Sequence, residues 1–297
     1  MCPYCKNTTY SKSFLPSTAF NNKIFRYLTC TSCNTIYINP LPNGDDFTQM
    51  YPVSYQSGVD KTILKDLYKK LPGLRFSYGI QFDFIKNHAP NNPKILDYGC
   101  GNANFIINAI SVGFKCDGTE FSANQVQILK NEIPQSGFYA IYDFLDDKKL
   151  RYDVIRLSNV LEHMDTPCET IGILIKKLTE NGILLVEGPV ETNFNLAFLT
   201  RKIYFMIKHR IHSEYISDHL PTHITFTNRR NQLAFFTNFK LETLEYKITE
   251  AGWPYPSSIK SAKGLGAKIK ACIATCSIFL SLLTNTWGNT FLYIGKK

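Results

Sequence analysis

Four cysteines fall in two matched pairs. Cys2 and Cys5 lie in CPYC and Cys30 and Cys33 in CTSC, so the chain opens with C-x2-C-x24-C-x2-C. Two such knuckles let four thiolates close tetrahedrally on one zinc ion, and a four-cysteine set leaves no open coordination position, which makes the site structural. A redox CxxC needs only one pair, so the match between two pairs favours the metal. KIFRYLTC, before the second knuckle, alternates as a short strand does. Residues 1–42 therefore read as a small zinc ribbon, in which the metal supplies what so short a core lacks.

A second set of residues begins at KILDYGCGNANFI, residues 94–106. An apolar run reaches Asp97, then Gly99 and Gly101 make a turn in which backbone can approach a ligand closely. Strand, glycine turn and helix form the first unit of a doubly wound α/β sheet, whose ligands bind at the carboxyl ends of the strands. Asn104 stands where a third glycine of GxGxxG would be, and there is no GxxxxGK[ST] loop, so the site suits a nucleoside without phosphates. Glu120, 19 residues past Gly101, ends the next strand pattern, where a carboxylate can accept from two ribose hydroxyls. A proton acceptor near neutral pH would come from His163, His219 or His223, since imidazole titrates there.

These residues need elements to hold them. With 297 residues, 44% hydrophobic, the chain has room for one domain of roughly 200 residues plus additions. Residues 43–90 read as a helical connector or lid: DKTILKDLYKKL aligns Ile63, Leu64, Leu67 and Leu71, and RFSYGIQFDFIKNH aligns Phe76, Ile80 and Phe84. Five strands follow, at 93–97, 113–120, 136–144 ending at Asp143, 151–159 with Asn159 near its exit, and 181–190. A last strand closes the chain at NTFLYIGKK.

At this point the stretch 94–190 resembles the class I S-adenosylmethionine-dependent methyltransferases. ILDYGCGNANF resembles their glycine-rich first motif, TEFS their ribose-binding acid, YDF their adenine-side motif and YDVIRLSNVLEHMDTP their fourth-strand motif. LTENGILLVEGP resembles their fifth-strand turn, with Glu180-Asn181-Gly182 in place of Pro-Gly-Gly. The ribbon, YPVSY and DHLPTHITFTNRRNQLAFFTNF are similar to a branch with an N-terminal zinc ribbon that serves bacterial sugar and glycan pathways; here three residues separate His219 from His223, and Asn238 replaces the usual glycine. The resemblance implies a Rossmann-like, mostly parallel seven-stranded sheet behind the ribbon, spanning 91–297, with a cap insertion at about 192–222. It implies S-adenosylmethionine as cofactor: Asp97, Gly99 and Gly101 at the methionine end, Glu120 on the ribose, Asp143 and Phe144 about the adenine, Asn159 near the sulfonium. Tyr55 would close the pocket with an aromatic face suited to that cation. The expected reaction is O-methylation of a sugar or glycan-pathway small molecule, with His223, then His163, then His219 as candidate base.

The charge is uneven. The chain carries +9, and residues 201–297 hold 14 basic and 5 acidic side chains, which is the whole excess. A basic face there could meet an anionic membrane, a phosphorylated substrate or nucleic acid. Residues 192–215 and 260–284 combine basic and apolar side chains and suit peripheral contact with a membrane's inner face. The N-terminus has no apolar signal core and the cysteine usage is reduced, so the expected location is cytoplasmic. An RNA methyltransferase is disfavoured, because LSNVLEH carries no Asn-or-Asp-Pro-Pro-aromatic turn. A non-catalytic module of the same fold is disfavoured by the intact glycine turn and acid.

Overall fold

Two sheets share the chain. The computed structural model describes residues 1–52, 58–69, 76–212, 215–217, 219–250, 259–260, 262–284 and 286–297; Tyr55 and Leu71 fall outside them. In the first sheet, β3 (Lys23–Cys30) runs antiparallel to β4 (Ile36–Asn39) on one edge, and to β1 (Tyr10–Lys12) and β2 (Ser17–Phe20) on the other. Helix α1 (Gly44–Met50) follows, started by a reciprocal capping box between Asn43 and Asp46.

The connector departs from the sequence expectation. Residues 60–69 form no helix. Apolar spacing there reflects docking on a neighbour: Leu64 and Leu67 pack against the core, while Ile63 is exposed. Asn104 and Asn108 hold the segment by donating to the Thr62 carbonyl, and Asn108 accepts from Leu64 N. Helix α2 (Tyr78–His88) does form; of the expected residues Phe76 is buried just before it and Phe84 packs against the core, but Ile80 is exposed, and the buried side chains of the helix are Tyr78, Gln81, Phe82 and Ile85.

The second sheet is the large one. It begins with β5 (Lys94–Tyr98), α3 (Asn104–Ser111), β6 (Lys115–Glu120), α4 (Ala123–Glu132) and β7 (Phe138–Ala140). The third strand is shorter than its expected span, since the chain turns at Ile141 into helix α5 (Ile141–Asp146), which carries Asp143. Then come β8 (Tyr152–Ser158), a single 3-10 turn (Leu161–His163), α6 (Pro167–Lys177) and β9 (Leu178–Pro189). After α7 (Leu196–Ile211), β10 (Ile216–Ser217), β11 (Thr225–Phe226) and α8 (Arg229–Thr237), the chain returns through β12 (Glu242–Thr249), α9 (Leu265–Leu283) and β13 (Thr290–Lys296).

The seven strands are ordered β12-β13-β9-β8-β5-β6-β7. The five from β9 to β7 are parallel, and β13 runs antiparallel between β9 and β12. This is the expected Rossmann-like sheet, with apolar side chains buried on both faces as parallel strands require. The first sheet is not closed by residues 1–42 alone: β10 pairs with β2, and β11 with β4. The segment carrying His219 and His223 is thus stitched into the cysteine-bearing sheet.

Candidate active site

The strand order reverses between β5 and β8, so their carboxyl ends open a crevice. Gly99 and Gly101 turn the chain there with φ of +75° and +57°. A Cβ on Gly99 would lie 2.7 Å from Val160 Cγ2, so the turn can close only on glycine. Glu120 ends β6 against this turn. Its Oε2 accepts from Gly101 N at 2.8 Å and its Oε1 from Phe121 N at 2.7 Å, while burial pushes the carboxyl pKa up. Open left-handed backbone with a carboxylate on the next strand end fits the ribose and methionine arms of S-adenosylmethionine.

Two expected cofactor residues are placed elsewhere. Phe144 is fully buried, packed under Tyr98, Tyr139 and Tyr152, because the third strand stops early and α5 turns this ring into the core. Exposed rings beside the two acids are Phe121 and Tyr142, with centroids 6.2 Å apart, and Asp143, next to Tyr142 in the chain, is exposed. Asp97 is 2% exposed and is bound by Arg156, whose guanidinium donates to Asp97 Oδ1 at 2.6 Å, Glu187 Oε1 at 3.0 Å and Gln81 Oε1 at 2.6 Å. Asp97 therefore fixes the floor of the turn from within. Burial raises its carboxyl pKa against the pull of Arg156. Asn159 leaves β8 in left-handed backbone at φ +52°, and its N–H donates to the Glu187 carbonyl.

The histidines separate. His163, on the 3-10 turn, and His223, before β11, meet edge to face with ring centroids 4.7 Å apart. Backbone pairs the two segments, as Ile224 N donates to the Glu162 carbonyl. Each Nδ1 lies on an oxygen: His163 on the Thr222 carbonyl at 2.7 Å, and His223 on Glu191 Oε2 at 3.0 Å. Tyr51 also reaches His163 Nδ1, at 2.9 Å. Burial and the facing His223 ring push the His163 pKa well below its ordinary value. His219 is not part of this pair: its side chain is exposed and its carbonyl accepts from Thr18 at the edge of the first sheet. Glu162, His163 and His223 bring ligand atoms within 4.8 Å of one another, a set that could also take a divalent cation.

The four cysteines meet as their spacing requires. Cys2 Sγ is 3.7 Å from Cys33 Sγ, Cys5 Sγ is 3.4 Å from Cys30 Sγ, and all four lie within 4.8 Å. Tetrahedral Zn–S bonds of about 2.3 Å put sulfurs roughly 3.8 Å apart, so the donor set fits zinc.

No role was expected of Tyr51, the first residue of YPVSY, of Arg156, inside the fourth-strand motif, or of Glu191. Each acts on a residue distant along the chain: Tyr51 on His163, Glu191 on His223, Arg156 on Asp97.

A family model described as a methyltransferase domain matches residues 73–245. No curated protein matches. Among solved structures, the [4+2]-cyclase SpnF is similar at 14% identity and a TM-score of 0.50, over 86% of this chain and 96% of that one. An S-adenosylmethionine-dependent methyltransferase from Archaeoglobus fulgidus matches at 14% identity and 0.44, over 75% and 96%. The plantazolicin methyltransferase BpumL, in complex with S-adenosylhomocysteine, matches at 16% identity and 0.45, over 74% and 82%. At such identities the likeness to SpnF speaks for the fold alone.

Proposed function

The chain belongs to the methyltransferase-domain family, whose enzymes draw on S-adenosylmethionine, and from that premise we propose that it O-methylates a sugar or other glycan-pathway acceptor with His223 as general base. The observation that carries this reading is the His223–Glu191 contact at 3.0 Å, beside His163 at the carboxyl edge of the sheet. The bound cofactor supplies a methyl group already activated on a sulfonium.

What remains for the chain is to bind, orient and move a proton. Gly99, Gly101 and Glu120 bind the cofactor, with Phe121 and Tyr142 as ring faces for its base. Asp143 stands near the adenine, and Asn159 stands at the exit of β8. Glu191 accepts from His223 Nδ1–H, which leaves Nε2 as the lone pair that takes the acceptor's hydroxyl proton; the resulting imidazolium keeps Glu191 as its counter-charge. His163 donates from Nδ1 to the Thr222 carbonyl and so positions the loop that carries His223. A structural zinc on Cys2, Cys5, Cys30 and Cys33 anchors the same loop, because β11 and Ile224 pair with β4.

The reading extends to a membrane surface. Helices α7 and α9 pack on each other and carry Arg201, Lys202, Lys208, Arg210, Lys268 and Lys270 with no acidic residue. Their exposed apolar side chains include Ile203, Met206, Ile207, Phe279, Leu282 and Leu283. That combination is complementary to an anionic bilayer. Helix α9 is long and apolar enough to cross a membrane, but Ser277 ties it to Glu250 and Trp287, which supports an in-plane position. The test is an acceptor screen with sugar nucleotides and lipid-linked glycans, comparing wild type with His223→Asn. Methyl incorporation into an acceptor hydroxyl, lost in the variant while cofactor binding persists, supports the reading. Undiminished transfer by His223→Asn removes it.

A further inference from the structure

Helix α7 lies on the cysteine-bearing sheet along one stripe. Phe198 meets Phe14 edge to face at 5.7 Å, Phe205 packs with the cluster of Leu15, Ile36 and Phe226, and His209 follows one turn beyond Phe205. Where the stripe ends, helix and sheet border a half-open cavity of about 530 Å³, lined by Tyr10, Lys12, Arg26, Tyr27, His209 and Tyr215, of which Tyr10, Lys12 and Arg26 are exposed to solvent.

The lining has a definite chemistry. Among the described residues it contains two cations, Lys12 and Arg26, and no carboxylate. Three tyrosines offer ring faces and hydroxyls. Both ring nitrogens of His209 are buried without a hydrogen-bond partner. A buried imidazole left so costs stability, and a ligand with acceptor oxygens would repair it. Sugar-bearing phosphates present these features together: charge for Lys12 and Arg26, oxygens for His209, and apolar ring faces for tyrosines.

The cavity wall packs, ring on ring, toward the histidine pair. Tyr27, in its wall, packs edge to face on Phe226 at 5.3 Å, and Phe226 lies 5.9 Å from the His223 ring. The Glu191 carboxylate acts on the Tyr27 hydroxyl, which it helps to push upward in pKa. A molecule seated here would have its far end held two aromatic rings from the proposed base.

We propose that this cavity is the acceptor's anchoring site and binds the phosphate or pyrophosphate of a phosphorylated sugar. The inference rests on the reading that an acceptor reacts at His223, and it names the acceptor's class. Lys12 and Arg26 hold the phosphate oxygens, His209 donates to one of them, and the tyrosine rings cover the sugar. Binding energy gained on this unreacting part orients the hydroxyl at the histidine pair.

The experiment is calorimetry on the zinc-loaded full chain with three probes. These are inorganic pyrophosphate, a uridine-diphosphate sugar, and a polyprenyl-pyrophosphoryl saccharide in nanodiscs of zwitterionic lipid. The expected result is saturable binding of at least one probe, weakened roughly tenfold or more in Lys12→Gln/Arg26→Gln. His209→Phe, which fills the cavity, should weaken the sugar-bearing probe by a similar factor. S-adenosylhomocysteine affinity should be unchanged in both variants, which separates this site from the cofactor site and from misfolding. Tighter binding of the sugar nucleotide marks a soluble acceptor and tighter binding in nanodiscs a lipid-linked one; each keeps the proposal. Absence of saturable binding by all three, or equal binding by wild type and the charge variant, overturns it. Loss of cofactor binding by wild type would instead remove the proposed function and leave the pyrophosphate result to be read alone.

Discussion

His163 and His223, brought from the end of β8 and the start of β11, stand edge to face with ring centroids 4.7 Å apart, each held through Nδ1 by an oxygen of the protein. The two holding oxygens differ in kind. A carbonyl fixes His163 Nδ1, and its Nε2 lies 3.8 Å from Glu162 Oε1, whereas a carboxylate backs His223 Nδ1 directly at 3.0 Å, so His223 has the closer counter-charge for the imidazolium it would become. The pair is therefore asymmetric, and its members should respond differently to substitution.

Replacing His223 with asparagine should lower kcat by roughly 10²–10⁴, the usual share of a general base, with cofactor affinity unchanged. Replacing Glu191 with glutamine should lower kcat by less, with KM nearly constant. Steady-state kinetics of both variants with a responsive acceptor checks this ordering. Equal loss in kcat and in cofactor affinity would mean that the cluster supports the fold and not the proton.

Removing zinc should silence the enzyme without unfolding the large sheet. The four thiols hold the first sheet, and that sheet holds β11 and the loop carrying His223. Cys33→Ser should leave one equivalent less zinc and fast amide exchange at 216–226, while β5 and β8 stay protected. Hydrogen exchange by mass spectrometry reads both regions in one experiment.

Arg156 is the expected stability hot spot beneath the site. It is 3% exposed between Asp97 and Glu187, themselves 2% and 0% exposed. Arg156→Met leaves two buried carboxylates without their cation, which should cost about 3–5 kcal/mol in denaturant unfolding. A loss under about 1 kcal/mol would mean that the carboxylates find another partner or take up protons at little cost.

Acidic side chains placed on the exposed apolar face of α7 should release the protein from membranes. Ile203→Glu/Ile207→Glu alters side chains that are 49% and 54% exposed, so folding should be unaffected. Flotation with anionic vesicles should recover wild type in the lipid fraction and the variant in the soluble one, and high salt should weaken wild-type binding. Wild type left in the soluble fraction would rule out the membrane surface.

What could be read from the sequence was what local chemistry encodes. The glycine turn and Glu120 lie on adjacent strand ends, and the cysteine knuckles repeat at short spacing, so residue type and interval were sufficient. The misplaced helix at 60–69 shows the limit of periodicity: Leu64 and Leu67 have helical spacing but dock on α3 through Asn104 and Asn108. Phe144 was misassigned because the third strand ends at Ala140 and helical backbone turns that ring inward. The roles of Arg156, Glu191 and Tyr51 were hidden for a different reason. Their partners are set by strand order and by the return of residues 216–226 to the first sheet, which no local pattern records.

The central claim is that the crevice at Gly99, Gly101 and Glu120 binds S-adenosylmethionine. Calorimetry of the zinc-loaded protein with S-adenosylmethionine and its demethylated product, alongside Glu120→Ala, tests it directly. The account predicts binding at roughly micromolar concentration that falls by at least tenfold in the variant, the weight of a charged hydrogen-bonding group. A folded, zinc-loaded wild type that binds neither molecule, or a variant that binds as tightly as wild type, would contradict it.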